Sequence, residues 1–206
     1  MDPKITELLR AYEKRGEAEG ALREKLGPAE SDRRIDEFLL AVGPSTGRFI
    51  NTLARESRAT RILEVGTSYG YSTIWLAEAA RATGGKVVTI ELNAGKREYA
   101  HEQLASVGLA AFVDLRLGDA LAVLAQLDGP FDFVLLDLWK NLYVPCFDLF
   151  LPTLAPDAFI VADNMIYPEN ARDEVERYRR RVRDTGRFDS VLLPIGSGLE
   201  VSRLRG

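Results

Sequence analysis

Residues 61–72 read Arg61-Ile62-Leu63-Glu64-Val65-Gly66-Thr67-Ser68-Tyr69-Gly70-Tyr71-Ser72. The apolar run Ile62–Val65 stops at a glycine, a second glycine closes the turn, and a helical stretch follows over Ser72–Arg81. This is a strand feeding a helix, and the unit recurs along the chain. Apolar runs at Val87–Ile90, Phe133–Leu136 and Phe159–Val161, with Val113–Leu117 a weaker fifth, alternate with helical stretches at Lys96–Val107, Leu121–Leu127, Leu142–Leu154 and Ala171–Arg183. Continuous apolar strands between helices predict a parallel sheet covered on both faces. The last two runs, Ser190–Leu193 and Leu199–Leu204, are joined only by Pro194-Ile195-Gly196-Ser197-Gly198, too short for a parallel crossover; they must pair antiparallel. The expected architecture is α/β: a mostly parallel sheet of seven strands with an antiparallel C-terminal hairpin at one edge and helices on both faces.

Upstream of residue 59 the pattern is helical. Ile5, Leu8, Leu9 and Tyr12 keep the spacing of an amphipathic helix, which Gly27-Pro28 breaks. Ser31 is the expected N-cap of a second helix carrying Ile35, Phe38, Leu39 and Val42; after Gly43-Pro44, Thr46 is the expected cap of a third with Phe49, Ile50 and Leu53. These helices are expected to cover one edge of the sheet or a partner subunit. The chain of 206 residues suits one domain, with N-terminal helices over 1–58 and the core over 59–206.

Composition narrows the function. With 27 Lys and Arg against 31 Asp and Glu, the net charge of −4 argues against a chain-wide nucleic-acid footprint. Cys146 is the only cysteine and His101 the only histidine, which excludes an intramolecular disulfide, a cysteine-based zinc site and a His-pair metal site, and argues against a Ser-His-Asp triad. No apolar run approaches the roughly 18 residues that cross a bilayer, and the N-terminus lacks the apolar segment of a signal peptide, so a cytoplasmic protein is expected.

Ligands of open α/β sheets bind beyond the carboxyl ends of the strands. After the first strand stand Gly66 and Gly70, which are expected to let a ligand approach the backbone. After the second stands Glu91, suited to accept both hydroxyls of a ribose; after the third, Gly118-Asp119-Ala120, placed for an adenine edge. Ser68 and Tyr69 break the G-x-G-x-x-G spacing that a dinucleotide pyrophosphate needs, against a nicotinamide-dependent dehydrogenase. The fourth strand ends in Asp137-Leu138-Trp139-Lys140 and the fifth in Asp163-Asn164. Neighbouring strand ends lie about 5 Å apart, so Asp137, Asp163 and Asn164 can converge as three hard oxygen ligands with positions left open on Mg²⁺. Such an ion lowers the pKa of a coordinated hydroxyl, and Lys140 is placed to accept its proton. Trp139, past its strand, can wall a flat pocket.

Glu91, the paired glycines and Asp119 together resemble the S-adenosylmethionine (SAM) site of class I methyltransferases. The fuller set, from Val42 to about Val201, resembles the cation-dependent O-methyltransferases, the family of catechol and caffeoyl-coenzyme A O-methyltransferases. Val42-Gly43 with Gly47 is similar to the segment that folds over SAM, Ile62–Ser72 to the glycine motif, Thr89-Ile90-Glu91 to the ribose-binding strand and Asp137-x-x-Lys140-x-x-Tyr143 to the metal and base motif. Asp163-Asn164 matches the remaining metal ligands, and Gly198-Leu199-Glu200 the segment whose Glu holds the non-reacting hydroxyl of a catechol.

The resemblance implies a Rossmann-like methyltransferase fold. It implies SAM contacts at Val42, Glu64, Gly66, Thr67, Tyr71, Ser72, Glu91, Leu92, Asp119, Ala120 and Asp137. Metal ligands would be Asp137, Asp163 and Asn164, for Mg²⁺ or another divalent cation such as Mn²⁺ or Ca²⁺. Lys140 would be the base, and Trp139, Lys140, Asn164 and Glu200 would meet a small hydroxylated aromatic acceptor. It also implies a homodimer. Leu138, where catechol methyltransferases carry histidine, and Met165–Glu169 after the metal pair depart from the family pattern. Two alternatives stand beside this reading. One is methylation of a hydroxylated uridine in tRNA, for which the basic run Arg177–Arg183 would serve; the other is a non-catalytic SAM-binding protein of the same fold.

Overall fold

The computed structural model describes residues 1–167 and 169–206, the side chain of Glu169 excepted. Pro168 and that side chain, within the departing Met165–Glu169 stretch, lie outside the described residues. Helices α1 (Pro3–Leu26), α2 (Pro28–Arg33) and α3 (Gly43–Glu56) precede the sheet. Alternation then runs β1 (Arg61–Val65), α4 (Tyr71–Thr83), β2 (Lys86–Glu91), α5 (Ala94–Ser106), β3 (Val113–Leu117), α6 (Ala120–Leu124), β4 (Phe131–Leu136), α7 (Tyr143–Phe150), β5 (Leu154–Ala162) and α8 (Arg172–Asp184). The strands β6 (Phe188–Leu193) and β7 (Leu199–Leu204) close the chain.

The sheet has seven strands in the order β3-β2-β1-β4-β5-β7-β6, the first five parallel and β7 antiparallel to both β5 and β6. Chain direction across the sheet reverses between β1 and β4, where open α/β sheets leave a crevice at the carboxyl edge. Both faces are packed. Ile62, Val87, Phe133 and Val161 meet α1, α3 and α4 on one side; Leu63, Val65, Val134 and Ile160 meet α7 and α8 on the other, against Phe147, Phe150 and Tyr178. Truncating a fully buried phenylalanine such as Phe147 would cost about 3–5 kcal/mol.

The N-terminal region departs from expectation. Ser31 lies inside α2, which starts at Pro28 behind Gly27, and a single 3₁₀ turn at Ile35–Glu37 replaces the expected second helix. Phe38 is extended, because the Leu39 amide and carbonyl are claimed by side chains elsewhere rather than by helical neighbours. Gly43-Pro44 opens α3 instead of breaking the chain, since proline is tolerated in a first turn, and Thr46 is interior to that helix. The N-terminal helices cover a face of the sheet through α4, not an edge: Asn51 Nδ2 donates to the Trp75 carbonyl at 2.8 Å and to Glu78 Oε2 at 2.6 Å. Gly47 belongs to this contact, as a Cβ there would lie 2.3 Å from Trp75 Nε1. The helix expected over Leu142–Leu154 ends at Phe150, and Pro152 follows in a short 3₁₀ turn. β5 therefore begins at Leu154, earlier than its apolar run.

Candidate functional site

At the carboxyl edge of β1 and β2 the acidic residues are individually held. Glu64 is fully buried and its Oε2 accepts hydrogen bonds from Thr73 Oγ1 and Thr89 Oγ1, each at 2.6 Å, while Oε1 has no partner among the described residues. Burial pushes its carboxyl up to about 7, against the pull of the Thr73, Thr89 and Ser72 hydroxyls. A buried acceptor left open costs stability unless a donor reaches it, so Oε1 is suited to an ammonium group. Thr67 sits beside it, its Oγ1 2.6 Å from that of Thr89. Glu91 accepts the amide of Ser68 at 2.7 Å on one oxygen and that of Asn93 at 2.8 Å on the other. Each oxygen keeps a lone pair, enough for the two hydroxyls of a vicinal diol.

Gly66 also meets a steric need within the fold. Its φ is +108°, and an added Cβ would stand 1.9 Å from the carbonyl oxygen of Asp137. The missing side chain lets β1 and β4 close on each other, which joins the Glu64 half of the site to the Asp137 half. Of the other SAM candidates, Tyr71 and Ser72 are buried at the start of α4 and Val42 is buried just before α3, whereas Leu92 is 73% exposed. Asp119 caps α6 through the Ala122 amide at 3.0 Å, with Ala120 starting that helix.

The ends of β4 and β5 bring Asp137, Lys140, Asp163 and Asn164 together. Lys140 Nζ donates to Asn164 Oδ1 at 2.8 Å, Tyr143 Oη at 2.5 Å and the Leu138 carbonyl at 3.1 Å. Three acceptors for three hydrogens describe an ammonium. Burial pushes the Lys140 pKa down, opposed by the neighbouring Asp137 and Asp163 carboxylates. Asp163 is buried; its Oδ2 accepts from Asn164 Nδ2 at 3.2 Å and its Oδ1 is buried without a partner among the described residues. Burial and the facing Asp137 raise its carboxyl well above the ordinary range, and burial likewise raises Asp137, with Lys140 pulling it back. Asn164 takes φ +53°, a strained value that aims its amide at Lys140.

Two crowded carboxylates, an orphaned acceptor and an amide oxygen are an oxygen set short of positive charge, and they fit a hard divalent cation. No three His, Cys, Asp or Glu side chains form such a group among the described residues, so the amide of Asn164 would be the third ligand.

Trp139 stands beside this cluster, 60% exposed. Glu200, opposite Ala162 in the sheet, is buried on the α8 side, where Oε2 accepts from Arg179 Nε at 3.1 Å. The basic run of α8 is largely paired: Arg177 with Glu174, Arg179 with Glu176 and Glu200, Arg181 with Asp148. Sequence reasoning missed Thr73, Thr89 and Ser68, which orient Glu64 and Glu91. Only Thr89 carried a signal, as a hydroxyl within an apolar strand.

A family profile described as O-methyltransferase matches residues 28–204. Catechol O-methyltransferase of Niastella koreensis is 35% identical over 157 residues, 74% of this chain and 70% of that protein. Catechol O-methyltransferase of Mycobacterium tuberculosis is 39% identical over 128 residues, 62% of this chain and 58% of that protein. The solved structure of the O-methyltransferase TomG from Streptomyces achromogenes in complex with SAM superposes with a TM-score of 0.75 at 30% identity, covering 100% of this chain and 91% of that one.

Proposed function

The chain belongs to the O-methyltransferase family, and we propose that it is a divalent-cation-dependent enzyme that methylates one hydroxyl of a small catechol-like acceptor. The observation that carries this reading is the paired Asp137 and Asp163 at adjacent strand ends, with Asp163 Oδ1 unpartnered among the described residues and Lys140 beside them. When bound, the cation supplies the charge that stabilises a hydroxyl as its oxyanion, and SAM supplies the methyl group.

The protein's own groups do the rest. Glu64 Oε1 receives the ammonium of the methionine portion and the free lone pairs of Glu91 receive the ribose hydroxyls. Asp137, Asp163 and Asn164 would hold the cation. Trp139 lies along one side of the aromatic ring, and Glu200 orients the hydroxyl that does not react. Lys140 releases one ammonium proton to solvent water as the acceptor enters, and its neutral Nζ then takes the proton of the reacting hydroxyl; the flanking carboxylates hold the ammonium so re-formed. Alignment of the two reactants and stabilisation of the oxyanion supply most of the acceleration.

The metal reading is tested by Mn²⁺ titration of the SAH-bound protein with catechol present, followed by electron paramagnetic resonance. Wild type should bind one ion, and Asp163→Ala should bind at least about tenfold more weakly. Equal binding by both would remove Asp163 from the ligand set. We further propose a cytoplasmic homodimer. Sedimentation velocity checks the dimer.

A further inference from the structure

Arg34–Val42 joins α2 to α3 and leads into Val42, yet beyond its 3₁₀ turn no regular element supports it. Its backbone is held by side chains from two directions. From α1, Glu19 Oε2 accepts the Leu39 amide at 2.7 Å, Glu19 Oε1 accepts Arg15 Nε at 2.6 Å, and Arg15 Nη2 donates to the Glu37 carbonyl at 3.3 Å. From the turn after β1, Ser68 Oγ donates to the Leu39 carbonyl at 2.9 Å and Tyr69 Oη donates to the Asp36 carbonyl at 3.0 Å. Both polar groups of the Leu39 backbone are therefore engaged, one by α1 and one by the turn.

The next residue, Leu40, takes φ +48°, and Ser68 shares that φ value; neither is a glycine. Such conformations persist only where surrounding contacts impose them. Ser68 also donates its amide to Glu91, so the contacts run without a gap from Arg15 through Glu19, Leu39 and Ser68 to Glu91. α1 is itself fastened to the turn. Tyr12 Oη donates to the Tyr69 carbonyl at 2.7 Å, Tyr71 Oη donates to Glu13 at 3.0 Å, and the Arg15 guanidinium lies 4.5 Å from the centre of the Tyr69 ring.

We propose that Arg15 and Glu19 are positioning residues for SAM: α1 sets residues 34–42, and through Leu39 and Ser68 it sets the Glu91 carboxylate. The N-terminal helix thereby acts on the cofactor site from outside it. This inference rests on the reading of the β1–β2 edge as the SAM site.

The test is calorimetric titration of SAH into wild type, Glu19→Ala, Glu19→Gln and Tyr69→Phe, with kcat measured at saturating SAM. Glu19→Ala removes a charge-assisted acceptor and should weaken SAH about tenfold. Glu19→Gln, which keeps an oxygen for the Leu39 amide, should recover much of that loss. Turnover at saturating SAM should change less than about twofold, while trypsin cleavage after Arg34 should accelerate in Glu19→Ala.

If wild type fails to bind SAH, the site reading itself falls. If wild type binds and Glu19→Ala binds equally well, or loses turnover with unchanged SAH affinity, the positioning role falls alone. Should Glu19→Ala not fold, Tyr69→Phe deletes one hydroxyl of the same assembly and should weaken SAH about threefold; unchanged affinity there would overturn the proposal.

Discussion

Glu64→Gln isolates the buried carboxyl on which the cofactor half of the site depends. In the folded chain Glu64 holds its proton up to about pH 7, against an ordinary value of 4.5. At about 1.4 kcal/mol for each pH unit, that gap is worth about 3–4 kcal/mol. The folded state binds the extra proton between the two values, so this group costs nothing below about pH 4.5. Stability then falls as pH rises, and the full cost is present above about pH 7. Glutamine does not titrate and keeps an oxygen for Thr73 and Thr89.

Urea unfolding of ligand-free protein at pH 5 and pH 8 measures the effect. Wild type should lose about 2–3 kcal/mol more than Glu64→Gln between the two pH values, since the other titrating groups are shared by both proteins. SAH should stabilise wild type more at pH 8 than at pH 5, because its ammonium meets Oε1 only when the carboxylate is ionised. Equal pH slopes for the two proteins would show that Glu64 is not the strained acid described above.

Three further outcomes follow from the same geometry. Asp137→Ala should abolish turnover together with any response to divalent cations; near-wild-type turnover would remove Asp137 from the metal site. Lys140→Met should lower kcat by about 10²-fold or more with SAH affinity unchanged by calorimetry, and an unchanged rate would exclude Lys140 as the base. Gly66→Ala places a Cβ 1.9 Å from the Asp137 carbonyl at φ +108°. It should cost at least about 2 kcal/mol and lower Tm by about 4–8 °C, as differential scanning calorimetry would register.

The sheet was legible because its strands are buried on both faces, which leaves continuous apolar runs such as Ile62–Val65 and Phe133–Leu136. The hairpin followed from the short link between Leu193 and Leu199. What stayed hidden depends on distant partners. Phe38–Val42 carries apolar residues at helical spacing, yet Glu19 and Ser68, 20 and 29 residues away from Leu39, bind its backbone instead. The steric need for Gly66 was hidden because the sequence does not reveal which strand lies behind it; the structure puts the Asp137 carbonyl there. The nearness of Lys140 to Asp137 was legible from its place after that strand end, but its three acceptors, drawn from Leu138, Tyr143 and Asn164, appear only when the β4 and β5 ends meet.

The most direct measurement is methyl transfer from labelled SAM to catechol and to phenol, with Mg²⁺, with EDTA, and with Mg²⁺ restored. The account predicts transfer to catechol that EDTA abolishes and Mg²⁺ recovers, and little transfer to phenol, which lacks the second oxygen. Transfer that persists in EDTA, or that proceeds equally well on phenol, would contradict it.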